Sequence, residues 1–142
     1  MSRTMKKTAF IALALSLVCL AGCNTIRQKP LVTPSYTVTS HEFTKNDVKK
    51  AIIDTCSERK GWHVYNITDS QIEAEIRVRG KHYAAVTIPY DANGFSIRYK
   101  ASDNLLYDNS GTQPIIHHNY NNWVENLKAA IAQKLFMIGN HK

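Results

Sequence analysis

The stretch Gln71-Ile72-Glu73-Ala74-Glu75-Ile76-Arg77-Val78-Arg79 alternates without a break. Ile72, Ala74, Ile76 and Val78 fall on one side of an extended chain, with Glu73, Glu75, Arg77 and Arg79 on the other. Only a backbone of period two sorts these residues, so the stretch reads as a strand with one face buried and one in water. Its neighbours repeat the pattern. Trp62 to Ile67 predicts a short strand before it, closed by the turn Thr68-Asp69-Ser70. Ala84, Val86, Ile88 and Tyr90 form the apolar side of a third strand. Asp91-Ala92-Asn93-Gly94 is a turn, and a fourth strand presents Phe95, Ile97 and Tyr99.

Keeping the apolar sets on one side sets the register, because a slip of one residue would flip a whole strand. A two-residue loop at Gly80-Lys81 would put Val86 opposite Glu75. A three-residue loop, Gly80-Lys81-His82, pairs Val78 with Ala84 and Ile76 with Val86. The following turn sets Tyr90 beside Phe95, Ile88 beside Ile97 and Val86 beside Tyr99. On the outer face this register places Arg77, Ala85 and Lys100 in one row and Glu75, Thr87 and Arg98 in the next, with Arg79 beyond them near Tyr83. Antiparallel sheets commonly leave one face to solvent; the functional alternative is a shallow surface that binds anions.

Helices flank the strands. Thr44-Lys45-Asn46-Asp47 has the spacing of a capping box, and Val48, Ala51, Ile52, Thr55 and Cys56 then recur as one apolar stripe. Gly61 after Arg59 and Lys60 is a stop signal. Near the C-terminus, Tyr120, Val124, Leu127, Ile131, Leu135 and Ile138 form a second stripe, its start set by Asn122 or one turn earlier by Asn119. The expected fold is α+β: helix, four-stranded antiparallel β-meander, helix, with both helices on one face of the sheet. That order resembles the helix-grip-like domains of some envelope-assembly lipoproteins.

The N-terminus carries a different message. Arg3, Lys6 and Lys7 precede an apolar run over residues 9–20, which ends in Leu20-Ala21-Gly22-Cys23. This is the layout of a secretory signal. The run is shorter than the roughly 20 residues that a bilayer span requires. Leu20-Ala21-Gly22-Cys23 resembles the lipobox of bacterial lipoproteins, which implies removal of residues 1–22 and acylation of Cys23. Asn24, where an Asp would favour retention in the inner membrane, points to the outer membrane, with the domain in the periplasm; surface exposure and the inner membrane are the alternatives. Residues 23–41, polar and interrupted by Pro30 and Pro34, read as the acylated cysteine and a flexible tether, with Val38 and Phe43 able to dock on the domain edge. Extended, such a tether would reach about 60 Å. Residues 42–142 remain as a single domain.

Composition agrees with one small domain. Of 142 residues, 120 follow the cleavage site. Eighteen Lys and Arg stand against eleven Asp and Glu. Setting aside Arg3, Lys6 and Lys7 leaves a balance of only +4, which excludes a nucleic-acid-binding signature. Cys19 leaves with the signal and Cys23 is consumed by lipid, so Cys56, on a buried stripe, is the one remaining thiol.

Ser102-x-Asn104-Leu105-x-Tyr107, followed by Ile116-His117-x-x-Tyr120-Asn121-x-Trp123-Val124-x-x-Leu127, resembles the signature of small, mostly uncharacterised bacterial lipoproteins. The resemblance covers about a quarter of the domain and implies the address and the fold, with no chemistry attached. The residues themselves agree. Adjacent His117 and His118 diverge on either a strand or a helix, and no Cys or Glu stands at a metal-ligand spacing beside them. Ser102, Asp103 and His117 include no nucleophile-elbow motif. Asn104, Asn119 and Asn121 suit hydrogen bonds to loop backbone. No catalytic residue, metal or other cofactor is expected.

The expected protein is therefore an envelope lipoprotein without catalysis that binds another envelope protein. The alternative is a binder of anionic glycan or lipid, such as lipopolysaccharide or peptidoglycan, through the basic sheet face; an enzyme comes third. The candidate contact residues are Arg77, Arg79, Arg98, Lys100, Tyr107, His117 and Tyr120, and the candidate lipidation site is Cys23.

Overall fold

A computed structural model describes residues 27–39 and 42–141. The signal, Cys23 and Asn24 lie outside the described residues. Among the described residues no helix is long and apolar enough to cross a membrane.

Among the described residues, eight strands and two helices run in the order β1 (Gln28–Pro30), β2 (Ser35–Thr37), α1 (Lys45–Glu58), β3 (Trp62–Ile67), β4 (Gln71–Val78), β5 (His82–Asp91), β6 (Gly94–Ser96), β7 (Arg98–Asp103), β8 (Ile115–His117) and α2 (His118–Gly139). Six strands form one antiparallel sheet, in the order β2-β6-β5-β4-β3 with β7 also paired to β5; β1 and β8 form a second, two-stranded sheet.

Helix α1 begins as its sequence requires. The Thr44 side chain accepts from the Asp47 N–H, and the Asp47 carboxylate accepts from the Thr44 N–H at 2.8 Å. These bonds satisfy two donors that a bare helix start leaves orphaned. Val48, Ala51, Ile52, Thr55 and Cys56 are all buried. Against them lie the inward residues of the meander: Ile72, Ala74, Ile76, Ala84, Val86 and Ile88.

The expected four-stranded sheet is too small, and the two helices do not sit together on one face. Helix α1 covers β3, β4 and β5, whereas α2 packs along α1 and reaches β2 and β8. The difference comes from residues 28–37, expected to be free tether. Here β1 pairs Gln28 with His117 and Pro30 with Ile115, and β2 pairs Tyr36 with Phe95. Leu31, Val32, Tyr36 and Val38 pack against the core, which widens the apolar layer available to α2. Asn121 clasps the same segment: its Nδ2 donates to the Pro30 carbonyl at 2.8 Å and its Oδ1 accepts from the Val32 N–H at 3.3 Å.

The register also departs from expectation by one hairpin. The loop is Arg79-Gly80-Lys81, so Val78 faces His82, Ile76 faces Ala84 and Ala74 faces Val86. Arg79 and Gly80 both have positive φ, +54° and +66°, and the Lys81 N–H closes on the Val78 carbonyl at 3.1 Å. Two left-handed central residues are the mark of the type I′ hairpin turn, which matches the twist of its strands. The displacement is two residues, so the buried and exposed sets survive while the cross-strand partners change. Tyr90–Phe95 and Val86–Tyr99 pair as expected.

Candidate functional site

The outer face of the sheet is built by two β-bulges. On β3 the pairing with β4 shifts between Val64 and Asn66, and on the β5–β7 pair it shifts between Ala85 and Val86. A bulge adds one residue to its strand. The additions here are Tyr65 and Lys100, both facing outward, and they meet: Lys100 Nζ lies 5.4 Å from the centre of the Tyr65 ring. Glu73 joins them, accepting from Lys100 Nζ at 2.6 Å and from Asn66 Nδ2 at 3.1 Å. The Lys100 hydrogen bond and then that of Asn66 hold the Glu73 carboxyl below its ordinary range; Glu73 in turn raises Lys100.

One row along, Tyr83 donates its hydroxyl to Glu75 at 3.0 Å, and the Arg77 guanidinium lies 4.9 Å from the Tyr83 ring centre. Burial, then the Glu75 carboxylate, pushes the Tyr83 hydroxyl up. The face is thus a lattice of alternating rings and paired charges.

This arrangement divides the basic residues expected to act together. Arg77 faces Tyr83 and Arg98 faces Thr87, four residues apart on β5, or about 13 Å along the strand. Arg79 is in the hairpin turn rather than on the face. Arg98 instead lines a surface hollow with Ser70, Tyr90 and Phe95. The shift of β4 against β5 moves Arg77 away from Arg98, and the bulge takes Lys100 out of the row opposite Ala85.

The tyrosine region is a separate assembly at the opposite side of β5. The Tyr99 ring stacks on Tyr107 at 4.3 Å and meets Tyr120 edge-on at 5.7 Å. Tyr120 is fully buried, and its hydroxyl has no partner among the described residues. It is a core residue, while Tyr107 is 38% exposed. Burial pushes the Tyr120 hydroxyl far up. Ser102 Oγ is engaged with the Tyr99 hydroxyl at 3.0 Å.

His117 is the N-cap of α2, its Nδ1 accepting from the Asn119 N–H at 3.1 Å. The helix therefore starts one residue before Asn119, not at Asn122. The His117 ring stacks on His118 at 4.6 Å. Burial first, then the charges of His118, Arg27 and His82, keep its imidazole below the usual histidine value. Of the three residues considered as a triad, Ser102 is hydrogen-bonded to Tyr99 and His117 to the Asn119 N–H, while Asp103 faces Tyr83. Among the described residues no group of three His, Cys, Asp or Glu is placed to hold a metal ion.

Two features carried no sequence signal as site elements. Asn104 and Leu106 both have positive φ, +57° and +54°, on either side of buried Leu105. Driving Leu105 inward turns the neighbouring Leu106 side chain out, where it is 41% exposed. The second is the cation–ring pair of Lys100 and Tyr65, which only the bulges create.

No known protein family, curated protein or solved structure matches this chain.

Proposed function

We propose that this protein is a lipid-anchored envelope protein without catalysis that binds another envelope protein through the outer face of its sheet. The observation that carries this reading is the meeting of Tyr65 and Lys100 over Glu73, beside Tyr83 under Arg77. Aromatic and arginine side chains are the types enriched where proteins dock, because they give large contact area at low entropic cost. Holding the rings with paired charges pre-orders them, which reduces the ordering that docking must impose. A face for anionic glycan or lipid is supported less well, since Lys100 already has its carboxylate and Arg98 stands apart.

The test is a photocrosslinking residue at position 65 in living cells. One discrete protein adduct, weakened by Arg77→Glu, is expected. Adducts only to lipid or glycan, or none from normally expressed protein, would overturn the reading.

A further inference from the structure

The chain enters the domain at one end of it, and that end has its own chemistry. The Arg27 carbonyl accepts from the His118 N–H at 2.8 Å, so the path is fixed from Arg27 onward. Only three residues separate Arg27 from Cys23, four steps along the chain. Fully extended, they span at most about 14 Å, far less than the tether expected from residues 23–41. A lipid on Cys23 therefore holds this end of the domain against the headgroups.

The groups gathered here suit that position. Gln28 faces His117 across the β1–β8 pair and donates from Nε2 to the Leu106 carbonyl at 2.8 Å. The His117 N–H donates to the Leu105 carbonyl at 2.8 Å, and the His82 ring contacts the Asn104 carbonyl at 2.9 Å. One surface thus collects Arg27 and Lys81, the histidines 82, 117 and 118, and the exposed side chains of Leu106 and Tyr107. Of the nearby carboxylates, Asp108 is turned to the Ser110 N–H at 2.8 Å and Asp103 lies at the end of β7 opposite Tyr83.

Leu106 pays a conformational cost to be there: a non-glycine residue in the left-handed region is disfavoured by roughly 1 kcal/mol. The burial of Leu105 sets this conformation, and it leaves the Leu106 side chain in water, available to an apolar surface. An interface of basic groups with a leucine and a tyrosine is the composition that settles at the headgroup level of a bilayer.

We propose that this end of the domain, centred on Arg27, Lys81, Leu106 and Tyr107, rests on the membrane and takes anionic, phosphate-bearing lipid headgroups. The proposal rests on the lipid anchor at Cys23. It orients the whole molecule: Met137, 49% exposed near the far end of α2, stands about 28 Å along the helix from His118.

The acylated full-length protein is reconstituted into vesicles of phosphatidylethanolamine and phosphatidylglycerol that contain a headgroup-spin-labelled lipid. A fluorophore is attached at Leu106→Cys, at Lys81→Cys or at Met137→Cys; the buried Cys56 is not labelled in the folded protein. Strong quenching at positions 106 and 81 and little at 137 is expected. Arg27→Gln lowers the docked-to-undocked ratio roughly fivefold, the effect of one basic residue near an anionic surface, and replacing phosphatidylglycerol by phosphatidylcholine does the same or more. Equal quenching at all three positions, or stronger quenching at 137, overturns the proposal while leaving the anchor standing. A protein recovered without acyl chains overturns both. The second label position keeps the test decisive if Leu106→Cys fails to fold, which circular dichroism checks.

Discussion

Gly94 lies so close to Tyr36 that a Cβ added to it would stand 2.0 Å from the Tyr36 carbonyl oxygen. The contact is backbone to backbone, between the first residue of β6 and β2, a strand drawn from the N-terminal stretch. It shows that this stretch is an integral part of the sheet.

Gly94→Ala should therefore cost at least about 2 kcal/mol, because neither backbone has a side chain to move aside. Gly80→Ala is the control: φ is also positive there, +66°, but nothing lies within 4 Å of the added carbon. It should cost only about 1 kcal/mol. Urea unfolding of the two variants measures the difference, and equal costs would contradict the docking of β2.

Tyr120→Phe should leave stability unchanged or raise it by about 1 kcal/mol, because it removes a buried hydroxyl without a partner and keeps the ring packing. A thermal melt checks this. A loss above about 1 kcal/mol would mean that the hydroxyl is hydrogen-bonded in solution.

His117 predicts a pH dependence. Its imidazole binds a proton less readily in the folded protein than the ordinary value of 6.5 implies, through burial and the neighbouring His118, Arg27 and His82. Its contribution is therefore complete above the unfolded value and is lost as pH falls below it, since protons then favour the unfolded chain. His117→Asn keeps a side-chain acceptor for the Asn119 N–H and removes the titration. The decline in stability from about pH 7.5 to about pH 5.5 should be smaller in this variant than in the wild type; parallel curves would refute the assignment.

Cys56 should be inert while the protein is folded. Burial pushes its thiol up to about 12 and leaves it 1% exposed, so both thiolate and access are lacking. Peptide mass mapping after treatment with a thiol reagent should find Cys56 modified only in denaturant. Ready modification under native conditions would place it on a mobile part of α1.

Much of the fold was legible because its signals are local. The Thr44–Asp47 box, the stripe from Val48 to Cys56 and the alternation from Ile72 to Val78 each complete their pattern within one element. The pairing of Tyr90 with Phe95 needed only a four-residue turn. The strands β1 and β2 were not legible: three residues cannot show a period of two, Pro30 and Pro34 imitate a linker, and their partners lie more than fifty residues away. The helix placement failed with them, since α2 packs against strands that were not foreseen. At the site, Arg77 and Lys100 were correctly read as outward. The partner of Arg77 was missed because the β4–β5 loop is displaced by two residues, and those of Lys100 because a bulge is invisible to alternation. Tyr120 read as a contact residue because its spacing is that of a core stripe and of a surface motif alike.

The proposed lipid anchor at Cys23 is the premise of both the proposed function and the membrane-facing end of the domain. Mass analysis of the N-terminal peptide, from protein purified out of the membrane fraction, tests it most directly. The expected result is a chain that begins at Cys23, with a diacylglyceryl group on its sulfur. An unmodified Cys23 inside a longer chain, or a terminus elsewhere, would contradict the account.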